Sequence, residues 1–98
     1  MIEKIFTYKD YLTLKDKIQN KELFEHKASN KKVRFVLSCR REKESVFKEN
    51  LVCSFGVRYD TSGFSVPFHH DEMPSYEEIC ERGNSWLDYI LALRNETL

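Results

Sequence analysis

Three groups of residues in this 98-residue sequence could do chemistry. The densest is His69-His70-Asp71-Glu72, four consecutive polar residues between Pro67 and Pro74. Imidazole nitrogens and carboxylates ligate zinc, manganese or nickel, and the same groups act as general acids and bases. In extended chain neighbours point to opposite sides, which pairs His69 with Asp71 and His70 with Glu72. A metal site needs three or four donors. The only other histidine, His26, sits in a polar segment far upstream. A metal-dependent site at His69, His70 and Asp71 is therefore the third of three functional readings. The simpler one is a polar lead-in to a helix, where Asp71 and Glu72 gain about 0.3–1 kcal/mol from the positive helix end. A loop between an edge strand and a long helix is also a place to contact a partner.

The second group is Cys39, Cys53 and Cys80. An odd count without C-x-x-C spacing suits a reducing cytosol better than a disulfide framework. All three fall on positions expected to face inward, where a thiol has neither a base nor an orienting group beside it. With three glycines in the chain there is no glycine-rich phosphate loop either. These absences argue against an enzyme, and no cofactor is expected.

The third group is basic: Lys31, Lys32, Arg34, Arg40, Arg41 and Lys43 cluster along one segment, with Arg58 following. Overall the chain is neutral, with 16 Lys+Arg and 16 Asp+Glu. Residues 1–50, however, carry thirteen Lys/Arg against eight Asp/Glu, and residues 51–98 carry three against eight. The halves are thus +5 and −5, and they either complement each other within the monomer or present a dipolar surface that steers partners.

The elements that position these groups follow from hydrophobic period. Ile2, Lys4 and Phe6 suit a short first strand. Thr7 reads as an N-cap with Asp10 three residues on, and Tyr11, Leu14 and Ile18 keep helical spacing through roughly 8–20. Leu23 and Phe24 then add a turn onto the core before a polar linker at 28–32. The stretch "KVRFVLSCR" alternates Val33, Phe35, Leu37 and Cys39 with Arg34, Val36, Ser38 and Arg40. "LVCSFGVRY" does the same with Leu51, Cys53, Phe55, Val57 and Tyr59. Both read as half-buried strands. Between them "REKESVFKEN" is either a charged hairpin loop or a strand extension through 45–47. "DTSG" is a turn in which Gly63 is free to take positive φ. Pro67 pushes "FSVPF" to a sheet edge. Ser75 and Glu78 form an S-x-x-E capping box. Ile79, Cys80, Gly83, Trp86, Leu87, Ile90 and Leu91 follow at helical spacing. Gly83, on this stripe, implies a close approach by another element.

The fold class expected is α+β in a single domain, 1–98: a small antiparallel sheet of three to four strands with two helices on one face, order (β)αβββα. Helices on one face leave the other open, and its outward residues Arg34, Val36, Ser38, Arg40, Val52, Ser54, Gly56 and Arg58 are small or basic. The αβββα order resembles the double-stranded RNA-binding domain, in the order of its elements alone. That family grips phosphates with lysines at the start of its last helix. Here Asp71-Glu72-Met73-Pro74-Ser75-Tyr76-Glu77-Glu78 supplies four acids and no base.

The leading functional expectation is a small non-enzymatic interaction protein of inhibitor, immunity or adaptor type that binds a protein partner. Its contact residues are Arg34, Arg40, Arg41, Arg58, His69, His70, Asp71 and Glu72. The acids Asp71, Glu72, Glu77, Glu78 and Glu81 could mimic phosphates towards a nucleic-acid-binding target. The alternative is a nucleic-acid-binding module using the basic open face, although that face lacks the outward aromatics of a stacking platform. A homodimer through the edge strand at 64–68 is compatible with each reading. The opening "MIEKIFTYKD" has no signal-peptide run, and no stretch reaches membrane-spanning length, so a cytoplasmic protein without a membrane partner is expected. A composition rich in Lys, Asn, Ile and Glu suits a bacterium, a phage or a mobile element.

Overall fold

A computed structural model describes residues 1–20, 22–70 and 73–98, and for 64–70 the backbone alone. The elements run α1 (Ile2–Ile5), α2 (Tyr8–Gln19), β1 (Phe24–Asn30), β2 (Val33–Ser45), β3 (Lys48–Tyr59), β4 (Ser62–His70) and α3 (Tyr76–Leu93). The fold is α+β, with one antiparallel four-stranded sheet in the order β1-β2-β3-β4.

Alternation builds the core as expected. Val33, Phe35, Leu37 and Cys39 of β2 and Cys53, Phe55, Val57 and Tyr59 of β3 are buried on the same face as the helices, together with Ile79, Leu87 and Ile90 of α3. Thr7 and Asp10 form a reciprocal capping box, each side chain bonded to the other's backbone N–H. Ser75 Oγ accepts from Glu78 N at 3.1 Å and starts α3.

Two N-terminal segments differ from expectation. Residues 2–5 form one helical turn instead of a strand, because Ile2 is wanted inside α3's stripe. A Cβ on Gly83 would stand 3.0 Å from Ile2 Cγ1, so the glycine is the notch that admits this side chain. Asn84 Oδ1 accepts from Ile2 N, and Asn84 Nδ2 donates to Glu3 Oε1. Helix α3 runs unbroken through this notch. A helix-interior glycine costs about 1 kcal/mol against alanine, and burial of Ile2 offsets it.

The second difference is at 24–30, expected as a turn and linker and found as β1. Phe24 pairs with Cys39 and Asn30 with Val33. The alternation there is weak because His26, Ala28 and Asn30 face the core side in place of large apolar residues. The hairpin between β1 and β2 closes on Lys31, which takes φ 57°. Likewise the β3–β4 turn takes its positive φ at Asp60 (55°) and not at Gly63.

An aromatic cluster joins the helices to the sheet. The Phe6 ring is tilted against those of Phe35 and Tyr76, with centroids 5.1 Å and 5.7 Å away, and Tyr76 Oη donates to the Phe6 carbonyl at 2.7 Å. Tyr11 Oη donates to the Pro74 carbonyl at 2.9 Å.

Candidate functional site

Helices occupy one face of the sheet, and the other carries the even-numbered residues of β2 and β3. Pairing arranges them in transverse rows. Ser29, Arg34, Arg58 and Gly63 form the first, followed by Lys27, Val36, Gly56 and position 65, then Glu25, Ser38, Ser54 and position 67. These rows line a groove of about 550 Å³ bounded by Glu25, Lys27, Arg34, Ser38, Ser54 and Arg58. Its floor is low because Gly56 has no side chain and Ser38 and Ser54 are small, their hydroxyls 3.0 Å apart. Val52 is the exception among the outward residues at 6% exposure, lying between Arg40 and the backbone at His70 and outside the main core.

Charge at this surface is unbalanced in one place. Arg34 and Arg58 are direct cross-strand partners. Like charges in that position destabilise a sheet. Neither arginine makes an ion pair among the described residues, while Glu25 of the same groove is engaged with Lys27 at 3.1 Å and Asp60, two residues beyond Arg58, with Arg94 at 3.2 Å. Gly63 makes room for this arrangement. A Cβ there would fall 2.3 Å from Arg58 Cγ, so any other residue would displace the arginine side chain. The requirement for glycine is therefore steric, where the turn reading had made it conformational.

Beyond this groove β2 and β3 continue alone. The last partner of β1 on β2 is Cys39, and the last of β4 on β3 is Val52, leaving a two-stranded finger that ends at Ser45 and Lys48. This finger helps stretch the molecule to 49 × 27 × 18 Å. Some of its stem side chains bond to one another: Arg40 Nε with Glu42 at 3.0 Å, Lys48 with Glu44 at 3.2 Å, and Asn50 Nδ2 donating to Glu44 at 2.9 Å. A register shift between Lys43 and Ser45 leaves Glu44 as a bulge. The tip is Val46-Phe47, exposed at 92% and 97%.

The expected contact residues separate on this frame. Arg34 and Arg58 come together, and Arg40 lies on the same face further out, tied to Glu42. Arg41 lies opposite Leu51, on the core-facing side of the finger, so it does not join the others. Position 70 falls in one row with Arg40 and Val52. For His69 and His70 the backbone alone is described, and Asp71 and Glu72 lie outside the described residues. Among the described residues no three His, Cys, Asp or Glu side chains stand close enough to hold a metal ion.

Val46 and Phe47 were missed by pattern reading. The signal that could have found them is chemical. A two-residue hairpin loop usually holds Asn, Asp or Gly, and a Val-Phe pair there has no turn-forming reason to exist.

The thiols sit in the core. Cys39 and Cys53 are cross-strand partners with Sγ atoms 3.3 Å apart. Burial and the bond to Cys39 push the Cys53 thiol up to about 12, and burial raises Cys39 and Cys80 as well. A thiol held neutral in this way is a poor nucleophile. Burial raises the Tyr76 phenol too. Among the described residues no helix is long and apolar enough to cross a membrane. Comparison of the chain with protein-family models, with curated proteins and with solved structures returns no match.

Proposed function

We propose that this chain is a small non-enzymatic interaction protein, of inhibitor, immunity or adaptor type, that binds a protein partner with its finger and open sheet face. The observation that carries this reading is the tip. Val46 and Phe47 serve neither the core nor the turn, yet they stand at the far end of a two-stranded arm. Aromatic side chains are enriched among the few residues that dominate binding energy at protein interfaces, where they fill pockets on the partner. Two ion pairs within the stem, Arg40–Glu42 and Lys48–Glu44, reduce the net field at the tip, which suits an apolar pocket better than a polyanion.

Nucleic acid is the second reading, favoured by Arg34 and Arg58, which make no ion pair among the described residues. Against it, Lys27 and Arg40 are already tied to acids, and the outward positions of β1 to β3 hold no aromatic for base stacking.

Affinity purification from cells that carry this gene, followed by gel filtration, separates the two. The expected result is one protein retained in stoichiometric amount at moderate salt. Recovery of nucleic acid that salt strips away, with no protein retained, would overturn the first reading in favour of the second.

A further inference from the structure

We propose that the Arg34–Arg58 pair is an oxyanion site, built to hold a phosphate monoester on a side chain of the protein partner. The inference rests on the open face being a contact surface and names the chemistry that this surface recognises.

Arg34 and Arg58 are set side by side by direct strand pairing, and among the described residues no acid forms an ion pair with either. Across the sheet, Arg34 meets Ser29 on one side and Arg58 meets Gly63 on the other. On the diagonal Arg34 meets Lys27 and Gly56. Glu25, which lines the same groove, is held by Lys27, and Asp60, two residues beyond Arg58, is held by Arg94. Such a pair is at its least favourable when empty and improves when an anion bridges it.

The charge to be matched is two. A phosphate monoester carries about −1.5 to −2 near neutral pH and presents three acceptor oxygens. Each guanidinium offers a planar fork that bonds two of them. A carboxylate brings one charge and two oxygens, and would leave the site half-neutralised. Along the groove, the Ser38 and Ser54 hydroxyls line the path by which a peptide would leave.

One compact double charge also argues against a nucleic-acid strand. A polyanion is held by a track of cations that releases several counterions. Here Lys27 and Arg40, the next cations along the face, are bonded to Glu25 and Glu42, and Arg41 is on the other face. A single phosphate fits, and a chain of them does not.

The test uses the whole protein and four probes: a short phosphoserine peptide, its glutamate and unphosphorylated counterparts, and a short single-stranded oligodeoxynucleotide. Amide and arginine Nε–H shifts report the site. The phosphopeptide is expected to bind with a dissociation constant on the order of a millimolar, with shifts confined to Arg34, Arg58, Ser38, Ser54 and Gly56. Arg34→Gln and Arg58→Gln should each weaken it by about tenfold or more. The glutamate peptide should bind several-fold more weakly, and the unphosphorylated one not at all. Inorganic phosphate should raise the melting temperature of the wild type and leave that of Arg58→Gln unchanged. Shifts scattered over the surface lysines, or binding that survives both substitutions, would overturn the site. Tighter binding of the oligonucleotide, with a salt slope of several charges, would overturn the choice of a phosphorylated protein. If the phosphopeptide fails while a protein partner is still captured through Phe47, the oxyanion site is lost and the interaction reading stands.

Discussion

Strands β2 and β3 present two faces made by the same backbone, and the two obey different rules. On the covered face Phe35 meets Val57, Leu37 meets Phe55 and Cys39 meets Cys53. Each row is apolar and buried in the core with side chains of the helices and of Phe6. On the open face Arg34 meets Arg58, Val36 meets Gly56 and Ser38 meets Ser54. Packing explains every residue of the first set. It explains little of the second, where a like-charge pair works against the sheet and the floor has been kept low. The finger repeats the contrast along its length: pairing accounts for its stem and nothing within the chain accounts for Val46-Phe47. Positions that break local rules in an otherwise consistent structure are where function is expected.

Substitutions on the two faces should differ in size and finally in sign. The largest effect belongs to the covered face. Phe55→Ala, at a site 1% exposed, should cost about 3–5 kcal/mol in urea denaturation, enough to unfold a marginal domain. A covered-face loss below about 1 kcal/mol would erase the distinction.

Next comes alkaline pH. The Cys53 thiol is raised from 9.0 to about 12 in the folded chain. Unfolded chain therefore loses its proton first, and the stabilisation is full below pH 9.0 and declines as pH rises towards about 12. Cys39, Cys80, Tyr11 and Tyr76 shift in the same direction and add to the decline. Urea midpoints measured on both sides of pH 9.0 should fall on the alkaline side, and less so in Cys53→Ala.

Smaller still is the cap. Ser75→Ala removes the bond to Glu78 N and should cost about 1 kcal/mol, read from the thermal midpoint. The smallest effect has the opposite sign. Arg58→Gln relieves the cross-strand repulsion and should stabilise the protein by a few tenths of a kcal/mol at low salt, a gain that shrinks as salt is added. Destabilisation by Arg58→Gln would mean that the arginine has a structural role, and the contrast between faces would fail.

Much of the fold was readable because period and caps are local. The alternation of 33–39 and 51–59, the capping pair Thr7–Asp10 and the stripe of α3 each follow from neighbouring residues alone. Gly83 announced a close approach without saying that Ile2 makes it. What stayed hidden depends on tertiary pairing. Phe24–Asn30 is a strand because β2 offers it an edge, although its core-facing residues include His26 and Asn30. Residues 2–5 are helical because Gly83 leaves a notch for Ile2. At the candidate site, parity alone put Arg34 and Arg58 on one face. Only the register shows that they oppose each other, and only the ion pairs show that neither meets an acid among the described residues. Parity also placed Arg41 on the other side from Arg40, so the expected contact residues Arg40 and Arg41 lie on opposite faces of the finger.

The central claim is that the finger and the open face were shaped for contact. It is tested most directly by partner recovery with Phe47→Asp, measured beside Leu12→Asp, an exposed apolar site on α2, with melting temperatures recorded for both. The account predicts that Phe47→Asp loses the partner with its melting temperature unchanged, and that Leu12→Asp keeps it. Equal recovery by wild type and Phe47→Asp would contradict it.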